Sequence, residues 1–287
     1  MREIRGSTGI VGLFGHPVHH TFSPTMHNAA FEALGMDMVY LPFDVRPADL
    51  PRAVAGLAAL GIRGVNVTIP HKEAVLPLVD ELSEEAALIG SVNTIRVQEG
   101  RLFGYNTDAW GFEAALRRAS GAGLAGRRLF VIGAGGASRA VCFQAALAGA
   151  AGIEIADIDE GRARGLAGAV APRFPACRVE ACTATDAGCR ERLRAADLVV
   201  NATPAGMKPG DALPVDPAWL APGTFVYDLI YNPRETVLLR EARARGLEVL
   251  NGIGMLVLQG ARSFKIFTDV KPPVEVMFRI LEERFSR

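Results

Sequence analysis

The stretch that most limits how this chain can fold is RRLFVIGAGGASRAVCFQAALAGAAGIEIADID, residues 127–159. Apolar residues Leu129 to Ile132 run into Gly133, Gly135 and Gly136, a helical pattern follows, and IEIA then leads into Asp157. Strand, glycine turn, helix and strand in one unit call for two parallel strands with the helix crossing over them. Glycines at such a turn let the backbone approach a pyrophosphate, which the helix N-terminus stabilises through its free N–H groups. The spacing departs from G-x-G-x-x-G because Ser138 takes the third position, but a small residue there still permits close helix packing. Asp157 follows Gly136 by 21 positions, the interval at which a dinucleotide fingerprint sets an acidic residue against the ribose. A glycine turn alone would be weak evidence, since an ordinary turn before a solvated acidic loop has the same glycines. A carboxylate that accepts from both ribose hydroxyls favours NAD, because a 2′-phosphate would meet like charge. Arg162 and Arg164 are close enough in sequence to reach such a phosphate, which leaves NADP open.

Upstream, IVGLFG (10–15), MVYLPFDV (38–45) and GVNVTI (64–69) read as strands. Between the first two, SPTMHNAAFEALG predicts a helix with Ser23 as N-cap, Pro24 at the first helical position and Gly35 as its stop. LPRAVAGLAALG predicts a second helix closing on Gly61, and SVNTIRVQEGRLFGYN a hairpin turning at Glu99-Gly100. This alternation is that of an α/β layer with parallel strands. The pattern restarts near Trp110, and the end of the chain reads as two amphipathic helices split by Pro272-Pro273. The fold class expected is therefore two-domain α/β. Residues 1–110 and 252–287 form a substrate domain, and residues 111–251 a doubly wound, Rossmann-like parallel sheet.

Lys plus Arg and Asp plus Glu both total 31 of 287 residues, so no global basic field favours nucleic acid or an anionic membrane. The longest apolar run, AVAGLAALGI, is too short to span a bilayer, and MREIRGSTG has no signal-peptide character. Cys142, Cys177, Cys182 and Cys189 lack C-x-x-C spacing and read as reduced, mostly buried thiols of a cytoplasmic protein. His16, His19, His20 and His27 cluster without an interleaved carboxylate or cysteine, so no metal site is expected.

Polar residues gather where strands end: Asn66, Thr68 and Lys72 in GVNVTIPHK, Asn93 in GSVNTI, and Asn106, Thr107 and Asp108 in GYNTDAWG. Ligands of open α/β sheets bind beyond the carboxyl ends of strands, and a polyhydroxylated substrate needs such amides, hydroxyls and carboxylates. A lone lysine after a strand is more often a solvated surface charge. HTFSPTMHN, GVNVTIPHK, GSVNTI, GYNTDAWGF, GAGGASRA, NATPAGM, YDLIYNPRETVLL and GMLVLQGA, in this order, resemble the shikimate dehydrogenase family over nearly the whole chain.

The resemblance implies reversible, nicotinamide-dependent reduction of 3-dehydroshikimate to shikimate, with Lys72 as proton donor or acceptor and Asp108 as its partner. It implies Thr21 and Ser23 on the substrate carboxylate, and Thr68, Asn93, Tyr231 and Gln259 on the ring hydroxyls. For the cofactor it implies Gly133, Ala134, Gly135, Gly136, Ala137, Thr203, Leu229, Gly252 and Met255, with C-terminal helices returning to the first domain. NADP-using members usually carry Asn-Arg where this chain has Asp157-Ile158, so the family favours NADP while the residue leans toward NAD, as in NAD-preferring quinate/shikimate dehydrogenases. Thr21 replaces a usual Ser, which keeps the hydroxyl. The partners expected are a small-molecule substrate and, for assembly, a homodimer is allowed; neither nucleic acid nor membrane is expected. A non-catalytic dinucleotide-binding regulatory protein would need neither Lys72 nor Asp108, and the hydroxyl-rich SPTMHN with Gln259 fits a polyol acid better than the pterin of a methylenetetrahydrofolate enzyme.

Overall fold

The computed structural model describes residues 3–183 and 188–285. The chain divides into two compact units, Met1–Gly111 with Leu256–Arg287, and Phe112–Met255.

The first unit is built on a six-stranded sheet of β1 (Gly9–Gly15), β2 (Met38–Asp44), β3 (Ile62–Val67), β4 (Glu81–Leu82), β5 (Thr94–Gln98) and β6 (Arg101–Tyr105), in the order β2-β1-β3-β5-β6-β4. Strands β2, β1 and β3 are parallel, linked through α1 (Ser23–Ala33) and α2 (Leu50–Ala59). Strands β5 and β6 form the expected antiparallel hairpin; β5 also runs antiparallel to β3, while β6 pairs with β4 in parallel. Their hairpin pairs Gln98 with Arg101, and Glu99 (φ 51°) and Gly100 (φ 78°) both take the left-handed conformation that suits a two-residue turn to the twist of the strands. Helix α3 (Glu84–Ile89) starts at Ser83, whose hydroxyl accepts from the Ala86 N–H. The core lies between α2 and the sheet, where Val54, Leu57, Val65, Val67 and Ile95 are buried, each stabilising the fold by about 1.5–3 kcal/mol. Ser23 is not the N-cap of α1 but its first residue, and Pro24 is its second. Phe22 caps the helix in helical conformation, its ring edge-on to Phe285 at 4.8 Å, while Thr21 Oγ1 accepts from the Ser23 N–H at 3.3 Å.

The second unit carries β7 (Arg128–Ile132), β8 (Gly152–Asp157), β9 (Arg178–Thr183), β10 (Leu198–Asn201), β11 (Phe225–Asp228) and β12 (Glu248–Leu250), in the order β12-β11-β10-β7-β8-β9. Every pairing is parallel. The chain builds outward from β7 to one edge and from β10 to the other, so the order reverses between these two strands, as in a doubly wound Rossmann sheet. The segments that follow the strands include α4 (Asp108–Ser120), which leads into the unit, then α5 (Gly136–Leu147), α6 (Glu160–Val170), α7 (Cys189–Ala195) and α8 (Val237–Ala244). Phe130, Val199, Val226, Leu238 and Leu239 form its core. After α9 (Ile253–Thr268) the chain ends in α10 (Val274–Phe285). None of the four cysteines is in a disulfide and all are buried, and no helix among the described residues is long and apolar enough to cross a membrane.

Candidate active site

The loop after β3 is pinned at its backbone. The Thr68 N–H donates to the Phe14 carbonyl, His71 Nε2 lies 2.6 Å from the Val45 carbonyl, and the Lys72 carbonyl accepts from the Val92 N–H at 2.8 Å. This anchoring delivers Lys72 Nζ to 2.6 Å from Asp108 Oδ2, with only 15% and 7% of the two side chains exposed. Asp108 opens α4, where a negative charge is favoured by the helix dipole. Asn106 Oδ1 caps the same turn by accepting from the Asp108 and Ala109 N–H groups. Removing one partner of such a pair would strand a buried charge, which typically costs about 3–5 kcal/mol.

A polar cluster lies in the same unit. Asn93 Oδ1 accepts from the Thr107 N–H at 2.8 Å, and Asn93 Nδ2 donates to Thr107 Oγ1 at 2.9 Å and to Gln259 Oε1 at 3.4 Å. Gln259 stays half-buried, its Nε2 bonded to the Leu256 carbonyl one turn back on α9. Gly111 is packed so closely on this helix that a Cβ there would stand 2.8 Å from Gln259 Cβ and 2.9 Å from its backbone nitrogen. Asn66 does not face outward among the ligand groups at the strand end. It is buried, its Oδ1 accepting from the Tyr40 hydroxyl at 2.9 Å and its Nδ2 donating to Thr94 Oγ1 and, at 2.8 Å, to Ser263 Oγ. Ser263 also bonds Thr107 and is absent from the sequence-derived site, although it lies four residues, one helical turn, after Gln259. Thr21 and Ser23 are brought together, 3.3 Å between hydroxyls, and Thr68 sets its methyl against Gly15.

Beneath this network His27 is fully buried, both ring nitrogens without a hydrogen-bond partner, and stacks on Tyr40 at 4.3 Å. Burial pushes it down to about 3, so it is neutral. The fold does supply a carboxylate to two of the other histidines: Asp44, at the end of β2, lies 2.7 Å from His16 and 3.5 Å from His19. No group of three metal-ligating side chains is present among the described residues.

In the second unit Gly133 ends β7 at φ 102°, where a Cβ would come within 2.9 Å of Thr203 Cγ2 and 3.2 Å of the Ala202 carbonyl at the end of β10. The turn therefore sits at the reversal of strand order, with no Cβ on Gly133 to screen its backbone. Gly135 caps α5 without a side chain, so the first N–H groups of the helix keep their donors for an anion. These residues fit a dinucleotide pyrophosphate. Asp157 ends β8 and is 9% exposed. Its Oδ2 accepts from the Ala134 N–H at 2.7 Å and its Oδ1 from the Asp159 N–H at 2.9 Å, so the carboxylate braces the glycine turn. The next residue, Ile158, is 94% exposed, and the Arg162 guanidinium lies 3.6 Å from where a Cβ on Gly135 would stand. A Cβ on Gly252 would collide with the Leu229 carbonyl. Thr203, Leu229 and Tyr231 are half-buried and Met255 is buried.

A doubly wound sheet with a glycine cradle at its switch point, in a chain that also holds a buried lysine–aspartate pair, defines a dinucleotide-dependent dehydrogenase. Residues 13–95 match the family description "Shikimate dehydrogenase substrate binding domain", and residues 252–281 match "Shikimate 5'-dehydrogenase C-terminal domain". A shikimate dehydrogenase (NADP(+)) of Moorella thermoacetica is 50% identical over 285 residues, covering 99% of this chain and 96% of that protein. The shikimate 5-dehydrogenase of Listeria monocytogenes, solved with shikimate and NAD, superposes with a TM-score of 0.90 at 37% identity, covering 98% of this chain and 99% of that one. The enzyme of Thermus thermophilus, solved with NADP(H) and shikimate, gives 0.85 at 38%, covering 96% and 99%. The chain belongs to the shikimate dehydrogenase family.

Proposed function

We propose that this chain is a shikimate dehydrogenase, reversibly reducing 3-dehydroshikimate to shikimate. The observation that carries the reading is the Lys72–Asp108 pair, 2.6 Å apart in the unit that also gathers Asn93, Thr107 and Gln259. A nicotinamide dinucleotide, when bound, supplies or accepts the hydride. In the reducing direction Lys72 Nζ gives a proton to the oxygen that becomes the alcohol, and in the oxidising direction it takes that proton back. Asp108 holds the ammonium in place and accepts from the same hydroxyl. Acid–base help of this kind is typically worth about 10²–10⁴-fold. Thr21 and Ser23 hold the substrate carboxylate, and Thr68, Asn93, Tyr231 and Gln259 hold the ring hydroxyls.

Gly133 to Ala137 cradle the pyrophosphate, with Thr203, Leu229, Gly252 and Met255 around the rest of the dinucleotide. Asp157 and the absence of a cation at Ile158 favour NAD, whereas Arg162 beside Gly135 and the NADP(+) relatives favour NADP. We place the balance with NAD, because a carboxylate fixed at the strand end repels a 2′-phosphate that a single exposed arginine would have to hold. Neutral net charge and four cysteines outside any disulfide support a cytoplasmic enzyme that meets a small molecule and neither nucleic acid nor membrane.

The test is the initial rate of shikimate oxidation, and of quinate oxidation in parallel, with NAD and with NADP. Turnover of shikimate that falls by about 10²-fold or more in Lys72→Ala, with dinucleotide affinity retained, is expected. An unchanged kcat in that variant refutes the proton-transfer role.

A further inference from the structure

Asp228 ends β11, is fully buried, and is used by none of the steps above. Its Oδ1 accepts from Asn201 Nδ2 at 3.0 Å and from the Ile230 N–H at 3.1 Å, and its Oδ2 accepts from Thr236 Oγ1 at 2.7 Å. One carboxylate thus joins three segments of the second unit. The first is the turn after β10, where Asn201 Oδ1 in turn accepts from both the N–H and the hydroxyl of Thr203. The second is the strand end Leu229–Ile230, whose Leu229 N–H donates to the Asn201 carbonyl and whose Ile230 carbonyl accepts from the Gly252 N–H. The third is the start of α8, where Thr236 caps the helix by accepting from the Leu239 N–H. The bond to Asp228 also fixes which way the Asn201 amide faces, and hence which side chain receives the Thr203 hydroxyl proton.

We propose that Asp228 is a positioning residue for the dinucleotide: without touching it, the carboxylate holds Thr203, Leu229 and Gly252 in the arrangement that binds it. This rests on the dehydrogenase reading, which assigns those three residues to the cofactor. Burial without a neighbouring cation pushes the Asp228 carboxyl up to about 6, so an isolated charge is retained here at a cost to stability. The hydrogen bonds, rather than the charge, are what the site uses.

The experiment compares the wild-type enzyme with Asp228→Ala, Asp228→Asn and Thr236→Val, measuring KM for the dinucleotide, KM for shikimate and kcat. Asp228→Ala removes the acceptor of the Ile230 N–H and the Thr236 hydroxyl and leaves Asn201 Nδ2 only its bond to the Ala205 carbonyl; it should raise the dinucleotide KM about tenfold or more, with the shikimate KM within about twofold. Asp228→Asn keeps an acceptor toward Asn201 and Ile230 and a donor toward Thr236, so it should restore the dinucleotide KM to within about threefold of wild type. Thr236→Val, which lies in no assigned binding position, should shift the dinucleotide KM in the same direction by a smaller factor and serves if Asp228→Ala does not fold. Unchanged dinucleotide KM in Asp228→Ala, or in Thr236→Val where the alanine variant is insoluble, overturns the positioning role. Equal rises in both KM values, or no rescue by Asp228→Asn, do the same. Absence of shikimate turnover in the wild type, with either dinucleotide, overturns the dehydrogenase reading itself.

Discussion

Acidification should weaken the first unit in part through His27, in an amount that can be isolated. The ring is fully buried among Tyr40, Phe31, Phe264 and Phe267, with no charged group among these partners. Its folded-state value of about 3 lies below the ordinary 6.5. The folded state therefore binds fewer protons than the unfolded state between these values, and stability falls as pH drops below about 6.5. At about pH 5 the unfolded chain gains 1.5 pH units of protonation free energy that the folded chain lacks, or about 2 kcal/mol at 1.36 kcal/mol per unit. His27→Phe keeps an aromatic ring on Tyr40 and cannot titrate. Urea unfolding of both proteins at about pH 7.5 and about pH 5 gives the test, because every other ionisation is common to the pair. The stability difference should shift by about 2 kcal/mol in favour of the variant at the lower pH. A difference that is the same at both pH values would refute the reasoning and mean that His27 gains a partner or solvent on protonation.

Two further substitutions test the geometry of the sites. Gly111→Ala should raise the shikimate KM about tenfold, because the new methyl meets the α9 backbone at Gln259, and its gain of about 1 kcal/mol in helix propensity is outweighed by the overpacking; steady-state kinetics with an unchanged KM would remove Gln259 from the substrate site. Asp157→Asn should raise the ratio of kcat/KM with NADP to kcat/KM with NAD by about tenfold, since it deletes the charge facing a 2′-phosphate, and a constant ratio would leave Asp157 only its brace to Ala134 and Asp159.

The glycine turn and its flanking strands were readable because the whole unit is local: about thirty residues carry the strand period, the glycines, the helix and the acidic end. Asp228 has the same local form as Asp157, since FVYD, like IEIAD, drives apolar residues into a carboxylate. The sequence does not single it out because no glycine-rich strand–turn–helix unit leads into it, and because its partners Asn201 and Thr236 are recognisable only once β10 and α8 are set beside β11. The error at Ser23 was one of a single residue: a serine before proline is a good N-cap by composition, yet Phe22, packed on Phe285 from the far end of the chain, already takes the cap position. Asn66 stands at the end of β3 as the sequence indicates, but its side chain is buried. Sequence puts it at a strand end with Thr68 and Lys72, while alternation along β3 turns it inward, to Tyr40 and Ser263. The β5–β6 hairpin is legible from its turn residues, but the reversal of β5 against β3 is not, because periodicity gives strands and not their direction.

The bond between Asn66 and Ser263 spans 197 residues, and the whole second unit is threaded between its two ends. The second unit is contiguous in sequence, so it has all its strands as soon as residue 255 has been synthesised. The first unit, although begun earlier, lacks α9 until the second unit has been made, and with it the hydroxyl and amide that complete the Asn66–Thr107–Asn93 cluster. The order of birth is thus inverted relative to the order of completion: the dinucleotide fold can close first, and the lysine-bearing half acquires its full polar core last.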